Sequence, residues 1–285
     1  MDSQKRIVFF GFSEVGHQCL KYLLESGYNV VAVFTHDTDP HEEHWFKSPE
    51  ILAKEYGIDV FKPKTLKTEK WFRKVRYMKP DLILSLYYRN FIPEEIFSCA
   101  TLGAYNMHGS YLPAYRGRAP LNWAIINGEN FCGETLHVME KSFDTGCIVC
   151  QKKIEIGPEE YVGEILPRVA SCALDVLKES MPAILSGNPK LTPQDETKAS
   201  YYGKRTPEDG IIDFSKSARE VFNLIRAVSR PFPGAFFDAE GRRAIIWRAH
   251  IGAPTDFEPG SIVSTDPLSL ACSDRLIIAD EVEYV

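Results

Sequence analysis

The sequence predicts an α/β fold, a Rossmann-like, mostly parallel sheet with helices on both faces, followed by a small C-terminal β domain. Three observations predict it. Between residues 6 and 107 short β-prone runs alternate with segments of helical apolar spacing, the pattern of βαβ units. Beyond residue 235 only short strand-like runs separated by turn residues remain, the pattern of a small β domain. The 285 residues also exceed the roughly 100–200 of one ordinary domain, which favours two.

The elements follow in order. Residues 6–11 form a continuous β-prone run; 14–27 place Val15, Cys19, Leu20, Leu23 and Leu24 at helical spacing; 29–35 read as a buried strand. Gly11-Phe12-Ser13-Glu14-Val15-Gly16 lies where a dinucleotide fingerprint would, but Ser13 replaces the middle glycine and the last glycine is out of place. A turn into the helix with Ser13 as N-cap is the reading. A helix at 48–57, a short strand at 58–61, a helix at 68–77 and the strand Asp81–Tyr87 follow, then a strand at 102–107. Pro120 suits the first turn of a helix over 119–127. Residues 133–139 and 147–156 read as strands flanking the loop that carries Asp144. The longest helical stripe runs from 162 to 186 through Val162, Ile165, Leu166, Val169, Ala173, Leu177, Met181 and Ile184, and Gly187-Asn188-Pro189 stops it.

The polar stretch 188–200 reads as a connection, giving a catalytic domain over 1–190, a linker over 191–203 and a C-terminal domain over 204–285. There, Ser217-Ala218-Arg219-Glu220 has capping-box spacing and opens a helix to about 228. Pro231-Phe232-Pro233-Gly234 breaks the chain, and 235–250, 259–264, 268–272 and 275–279 read as strands.

Composition narrows the function. The net charge of -6 argues against a surface built to neutralise a phosphate backbone, so no nucleic-acid partner is expected. Seven scattered cysteines in a chain of this size favour a reducing compartment, and the cytoplasm is the expected location. The apolar stretch Ile7–Phe12 is too short for a signal sequence, and no run approaches the roughly 20 apolar residues of a membrane span. Cys147-x-x-Cys150 reads as alternating strand cysteines and His41-Glu42-Glu43-His44 as a polar loop, so no metal is expected.

The chemistry concentrates in Asn106-Met107-His108, the loop Gly109–Arg118 and Asp144-Thr145-Gly146. Residues two apart on a strand face one side, so Asn106 and His108 aim at one small volume while Met107 points into the core. The loop that follows lies at the carboxyl end of the sheet, where open α/β folds place ligands. An amide donor, an imidazole and a carboxylate suit acyl transfer to an amine. Asn106 can donate to the oxyanion, His108 can carry protons, and Asp144 favours the imidazolium. A lone strand histidine is more often structural; the arrangement of the three within a loop bearing glycine and arginine is what points to chemistry.

With these residues the sequence resembles the folate-dependent formyltransferases, in Asn106–Ser110, Leu112-Pro113, Arg116-Gly117 and Asp144–Gly146. Arg118–Trp123, Gly133–His137 and Tyr202–Asp209 are most similar to the amino-arabinose formyltransferase of lipid A modification and related sugar N-formyltransferases. The resemblance covers nearly the whole chain. It implies N10-formyltetrahydrofolate as donor, a nucleotide-linked amino sugar as acceptor in lipopolysaccharide biosynthesis, and a C-terminal domain resembling an OB barrel. For such a barrel the end at Val285 looks early, predicting a shortened or truncated form. Asn106, His108 and Asp144 match the family's catalytic trio. Tyr87, Tyr88, Arg89 and Asn90, with Glu140, Lys141, Ser142 and Phe143, correspond to walls of the folate pocket, although Asn90 replaces a histidine. Arg118 matches a position facing anionic parts of either ligand, and Lys204 and Arg205 positions facing the acceptor; arginine suits phosphate through its planar fork. A homodimer is compatible with it.

Methionyl-tRNA formyltransferase is the chief alternative, sharing the trio, the donor and the two-domain plan, but its polyanionic acceptor usually calls for a basic face, whereas this chain is acidic overall and its C-terminal segment has no long Lys/Arg run. Enzymes acting on glycinamide ribonucleotide are shorter and lack the 201–235 signature. A silent binding protein for nucleotide sugars or folate is the alternative of another class, and the intact trio speaks against it. Hydrolysis of the formyl donor without transfer is a further alternative.

Overall fold

A computed structural model describes residues 4–37, 46–239 and 241–285. The chain forms two compact units: the first holds residues up to Gly117, Gly133–Ile154 and Arg168–Tyr201; the second holds Arg118–Cys132, Glu155–Pro167 and Tyr202–Val285.

The elements begin with β1 (Arg6–Gly11), α1 (Ser13–Glu25), β2 (Asn29–Phe34), α2 (Pro49–Glu55), β3 (Val60–Phe61), α3 (Glu69–Tyr77), β4 (Leu82–Leu86), α4 (Glu94–Phe97) and β5 (Ala104–His108). They continue with β6 (Arg116–Gly117), α5 (Pro120–Ile126), β7 (Phe131–Val138), β8 (Ile148–Glu155), α6 (Val162–Leu185) and β9 (Tyr201–Tyr202). The last are α7 (Ala218–Val228), β10 (Ala235–Ala239), β11 (Arg242–Pro254), β12 (Ile262–Thr265), β13 (Leu268–Ala271) and β14 (Arg275–Tyr284).

Seven strands make the main sheet, in the order β3-β2-β1-β4-β5-β7-β8. The pairs β2·β3, β1·β2, β1·β4 and β4·β5 are parallel and β5·β7 is antiparallel. The central strands are apolar in continuous runs because both faces are covered, and Ile7 to Phe10 and Leu82 to Leu84 are fully buried. One face closes over a core of Val8, Phe10, Phe34, Val75, Ile83 and Ile96. The strand order reverses at the β1–β4 boundary, the place where open sheets of this type take ligands.

The expected α/β class with a C-terminal all-strand region is present. In the second unit, β10-β11-β14-β13-β12 form an antiparallel sheet, and α7 starts with the expected capping box between Ser217 and Glu220.

Three local expectations change. Ser13 is not the N-cap: Phe12 occupies that position, and Ser13 starts α1 at φ 61°. The close passage of Gly11 and Gly16, where a Cβ on Gly16 would lie 3.1 Å from the Gly11 carbonyl carbon, forces this sharp entry. The run 235–250 is two strands, β10 and β11, with Gly241 between them at φ 77°. The strand expected at 275–279 continues to Tyr284 because it pairs with β11 as far as Ala244. The short α4, with one buried residue, Ile96, shows no amphipathic period to read. The His41–His44 cluster lies outside the described residues.

Among the described residues, no helix is long and apolar enough to cross a membrane, and no group of three or more histidine, cysteine or acidic side chains could hold a metal ion.

Candidate active site

Strand pairing builds the site. The β4·β5 register sets Ser85 beside Asn106, and the antiparallel β5·β7 register sets His137 opposite Asn106 on its other side. The Ser85 hydroxyl donates to Asn106 Oδ1 at 2.8 Å, and Asn106 Nδ2 lies 3.1 Å from His137 Nε2. His137 Nδ1 is 2.8 Å from the Val138 carbonyl oxygen. A carbonyl only accepts, so Nδ1 donates to it and Nε2 is the nitrogen left to receive an N–H of Asn106. That fixes the amide orientation and leaves its second N–H for another partner.

His108 ends β5 and is 7% exposed. Its Nε2 lies 2.8 Å from the Tyr115 carbonyl oxygen and must donate to it. Its Nδ1 faces Asp144 Oδ1 at 3.6 Å, and the same oxygen lies 3.6 Å from His137 Nε2. Burial pushes the His108 pKa below its ordinary 6.5 despite the Asp144 charge and the Tyr115 carbonyl, with His137 and Arg116 adding to the depression. The resting ring is a neutral base near pH 7, with a lone pair on Nδ1.

Asp144 sits between β7 and β8 at φ 58°, with a side chain 10% exposed. The Gly117 N–H donates to its Oδ2 at 2.9 Å. Burial pushes the carboxyl up, but His108, the His137 ring and the Gly117 N–H outweigh it and hold it down to about 2. Tyr87 and Tyr115, which border the site, also have positive φ, 62° and 61°. Non-glycine residues in sparsely populated backbone regions cost on the order of 1–3 kcal/mol each and cluster at functional sites.

Asn106, His108 and Asp144 therefore meet, with His137 as a fourth member. The expected wall residues divide. Glu140, Lys141 and Ser142 border a hollow of about 400 Å³ together with Glu94, Phe97 and Met139, and Lys141 pairs with Glu94 at 2.9 Å. Phe143 is 64% exposed and packs edge-on to Phe91. Tyr87 donates its hydroxyl to buried Glu134 at 2.5 Å. Tyr88 stacks on His36 at 4.4 Å, and Arg89 lies over Phe12. Asn90 gives its amide to the Pro63 and Lys64 carbonyls and so ties down its own loop.

Arg118, Lys204 and Arg205 belong to the second unit. The Arg118 main-chain N–H donates to the Tyr202 carbonyl, Lys204 is exposed, and the Arg205 guanidinium covers Trp123 at 4.8 Å while bonding the Asp209 carbonyl.

Sequence reasoning assigns no role to Ser85, to His137, although it closes the Gly133–His137 run, or to the carbonyl of Tyr115. The signal for the first two is register: each lies directly across from Asn106 on a neighbouring strand. The third depends on a loop conformation that spacing alone does not specify.

Similarity to known proteins agrees with this fold. The N-formyltransferase from Helicobacter canadensis, solved in complex with folinic acid and dTDP-3-aminofucose, is 19% identical with a TM-score of 0.73, over 97% of this chain and 99% of that one. HypX from Aquifex aeolicus, solved in complex with tetrahydrofolic acid, is 18% identical with a TM-score of 0.68 over 98% of this chain, which spans only 44% of that longer protein. Methionyl-tRNA formyltransferase from Clostridium thermocellum is 22% identical with a TM-score of 0.60, over 99% and 98% of the two chains. Residues 5–181 match the family described as formyl transferase, and residues 204–284 match the formyl transferase C-terminal domain. The chain belongs to the formyl transferase family.

Proposed function

We propose that this transferase moves a formyl group from N10-formyltetrahydrofolate to the amine of a nucleotide-linked amino sugar. The observation that carries the reading is the meeting of Asn106, His108, Asp144 and His137 with their protons assigned. The folate would supply an activated formamide carbon. Its fit rests on the hollow beside Glu140–Ser142, the segment that the family resemblance assigns to a wall of the folate pocket.

Asn106, held by Ser85 and His137, directs its second N–H at the carbonyl oxygen as negative charge builds there, a contact of a kind worth about 10²–10³ in rate. Neutral His108 accepts the proton of the attacking amine at Nδ1, and the Asp144 carboxylate stabilises the imidazolium that results. The same Nδ1–H then returns the proton to the departing nitrogen. One histidine serves both steps, so protons balance.

The sugar acceptor is supported by the likeness to the Helicobacter canadensis enzyme, whose complex holds dTDP-3-aminofucose. Likeness to a methionyl-tRNA formyltransferase keeps charged initiator tRNA as the second reading. Against it, residues 204–285 carry ten lysines and arginines and thirteen acidic residues, a poor match to a polyanion. The test offers labelled formyl donor with dTDP-, UDP- and GDP-linked amino sugars and, separately, charged initiator tRNA. A gain of one formyl group on a sugar amine supports the proposal; label only on tRNA, or only as free formate, rejects it.

A further inference from the structure

The stretch that the sequence marks as a linker grips the Asp144 loop. Thr192 and Ile148 exchange main-chain hydrogen bonds at 2.8 and 2.9 Å. Two residues on, Gln194 Nε2 donates to the carbonyls of Asp144 and Gly146, each at 2.8 Å. Its Oε1 accepts from Arg116 Nε at 3.2 Å and Nη2 at 2.7 Å. All four hydrogen-bonding valences of the amide are in use, two facing each loop.

The arginine end of this clasp is fixed in turn. Arg116 is fully buried; it meets Glu196 through two bonds of 2.8 and 2.6 Å and the Tyr201 hydroxyl at 2.5 Å. A planar guanidinium held this way sets the plane of the Gln194 amide, so both amide hydrogens must point at the two carbonyls. On the other side the Asp144 loop packs closely on β7, where a Cβ on Gly146 would lie 1.9 Å from the Val138 oxygen.

Arg116 stands between Tyr115, whose carbonyl takes the Nε2 proton of His108, and Gly117, whose N–H holds Asp144 Oδ2. One glutamine thus joins the two loops that supply the partners of both His108 nitrogens. We propose that Gln194 is a positioning residue for formyl transfer, holding Asp144 against His108 Nδ1. The role rests on the reading of Asp144 given above.

Two variants test it. Q194M removes all four bonds without adding charge; Q194E keeps oxygen acceptors for Arg116 and guards against a folding failure in the first. Expected for both is a kcat at least about 30-fold lower per folded molecule, since a misplacement near 1 Å can cost about 10²-fold, with KM for donor and acceptor within about threefold. In Q194M the ionisation midpoint of His108, followed by imidazole 15N NMR, falls below that of the parent. The groups facing that ring are Asp144, His137, Arg116 and the Tyr115 carbonyl, and the raising influence of Asp144 is the one withdrawn. A purely structural glutamine would lower Tm and leave kcat and the midpoint alone, and that result overturns the proposal. The NMR titration needs no turnover: a D144N variant active at the parental rate would refute the role of Asp144 in transfer, while the His108 midpoint still decides whether Gln194 sets its position.

Discussion

His108 donates through Nε2 to the carbonyl of Tyr115 at 2.8 Å, so a proton gained by the ring sits on Nδ1, 3.6 Å from Asp144. The base must be free for the first step, so kcat/KM should rise with pH through the His108 pKa, below 6.5, and level off by neutral pH. D144N should move that limb to lower pH, because a raising influence is gone, and should lower kcat by about 10²-fold for want of a counter-charge. A pH–rate profile of both proteins checks this; a D144N limb displaced to higher pH contradicts it.

Asp144 also links stability to pH. Its folded pKa of about 2 lies below the ordinary 3.8, so its contribution is complete above pH 3.8 and is lost as pH falls through about 2. The shift corresponds to about 2 kcal/mol. Denaturant unfolding should show the stability difference between parent and D144N shrinking by about that amount from pH 5 to pH 2. An unchanged difference would mean that the carboxylate is not held by its neighbours.

Glu134 has the opposite sign. Burial pushes its carboxyl well above 4.5, against the opposing bond from Tyr87. Among the described residues its Oε2 has no hydrogen-bond partner. A raised acid stabilises the fold fully below the unfolded pKa and loses that contribution as pH rises toward the folded one. The Tm of E134Q relative to the parent should therefore climb between pH 5 and pH 8. A flat difference would show that Glu134 does not hold its proton in the folded protein.

Asn106 is bound on both sides, so truncation acts twice. N106A should lower kcat by about 10²–10³ and cost about 1–3 kcal/mol of stability by stripping Ser85 and His137 of a buried partner. Separate measurement of kcat and of unfolding distinguishes the two losses. A stability loss with kcat within tenfold of the parent removes the oxyanion role.

Much of this architecture is legible in the sequence because burial enforces periodicity. Ile7–Phe10 of β1 and Leu82–Leu84 of β4 are apolar since both faces are covered, and the capping box at Ser217 is a local device with a local signature. The meeting of Asn106 and His108 follows from the two-residue period of one strand. What connects Asn106 to Ser85 and His137 is register between strands far apart in sequence, which no single segment encodes. Gln194 is harder still: its role is set by two carbonyls and a guanidinium brought from two segments distant from it in sequence, while its own surroundings read only as polar chain. Ser13 differs for a steric reason, the close approach of Gly11 and Gly16.

Transfer of isotope-labelled formyl from N10-formyltetrahydrofolate to an amino-sugar nucleotide, compared among the parent, N106A, H108A and D144A, tests the central claim most directly. The account predicts a formylated sugar amine with the parent and rates at least about 10²-fold lower in each variant. All three variants, folded and within tenfold of the parent, would contradict it.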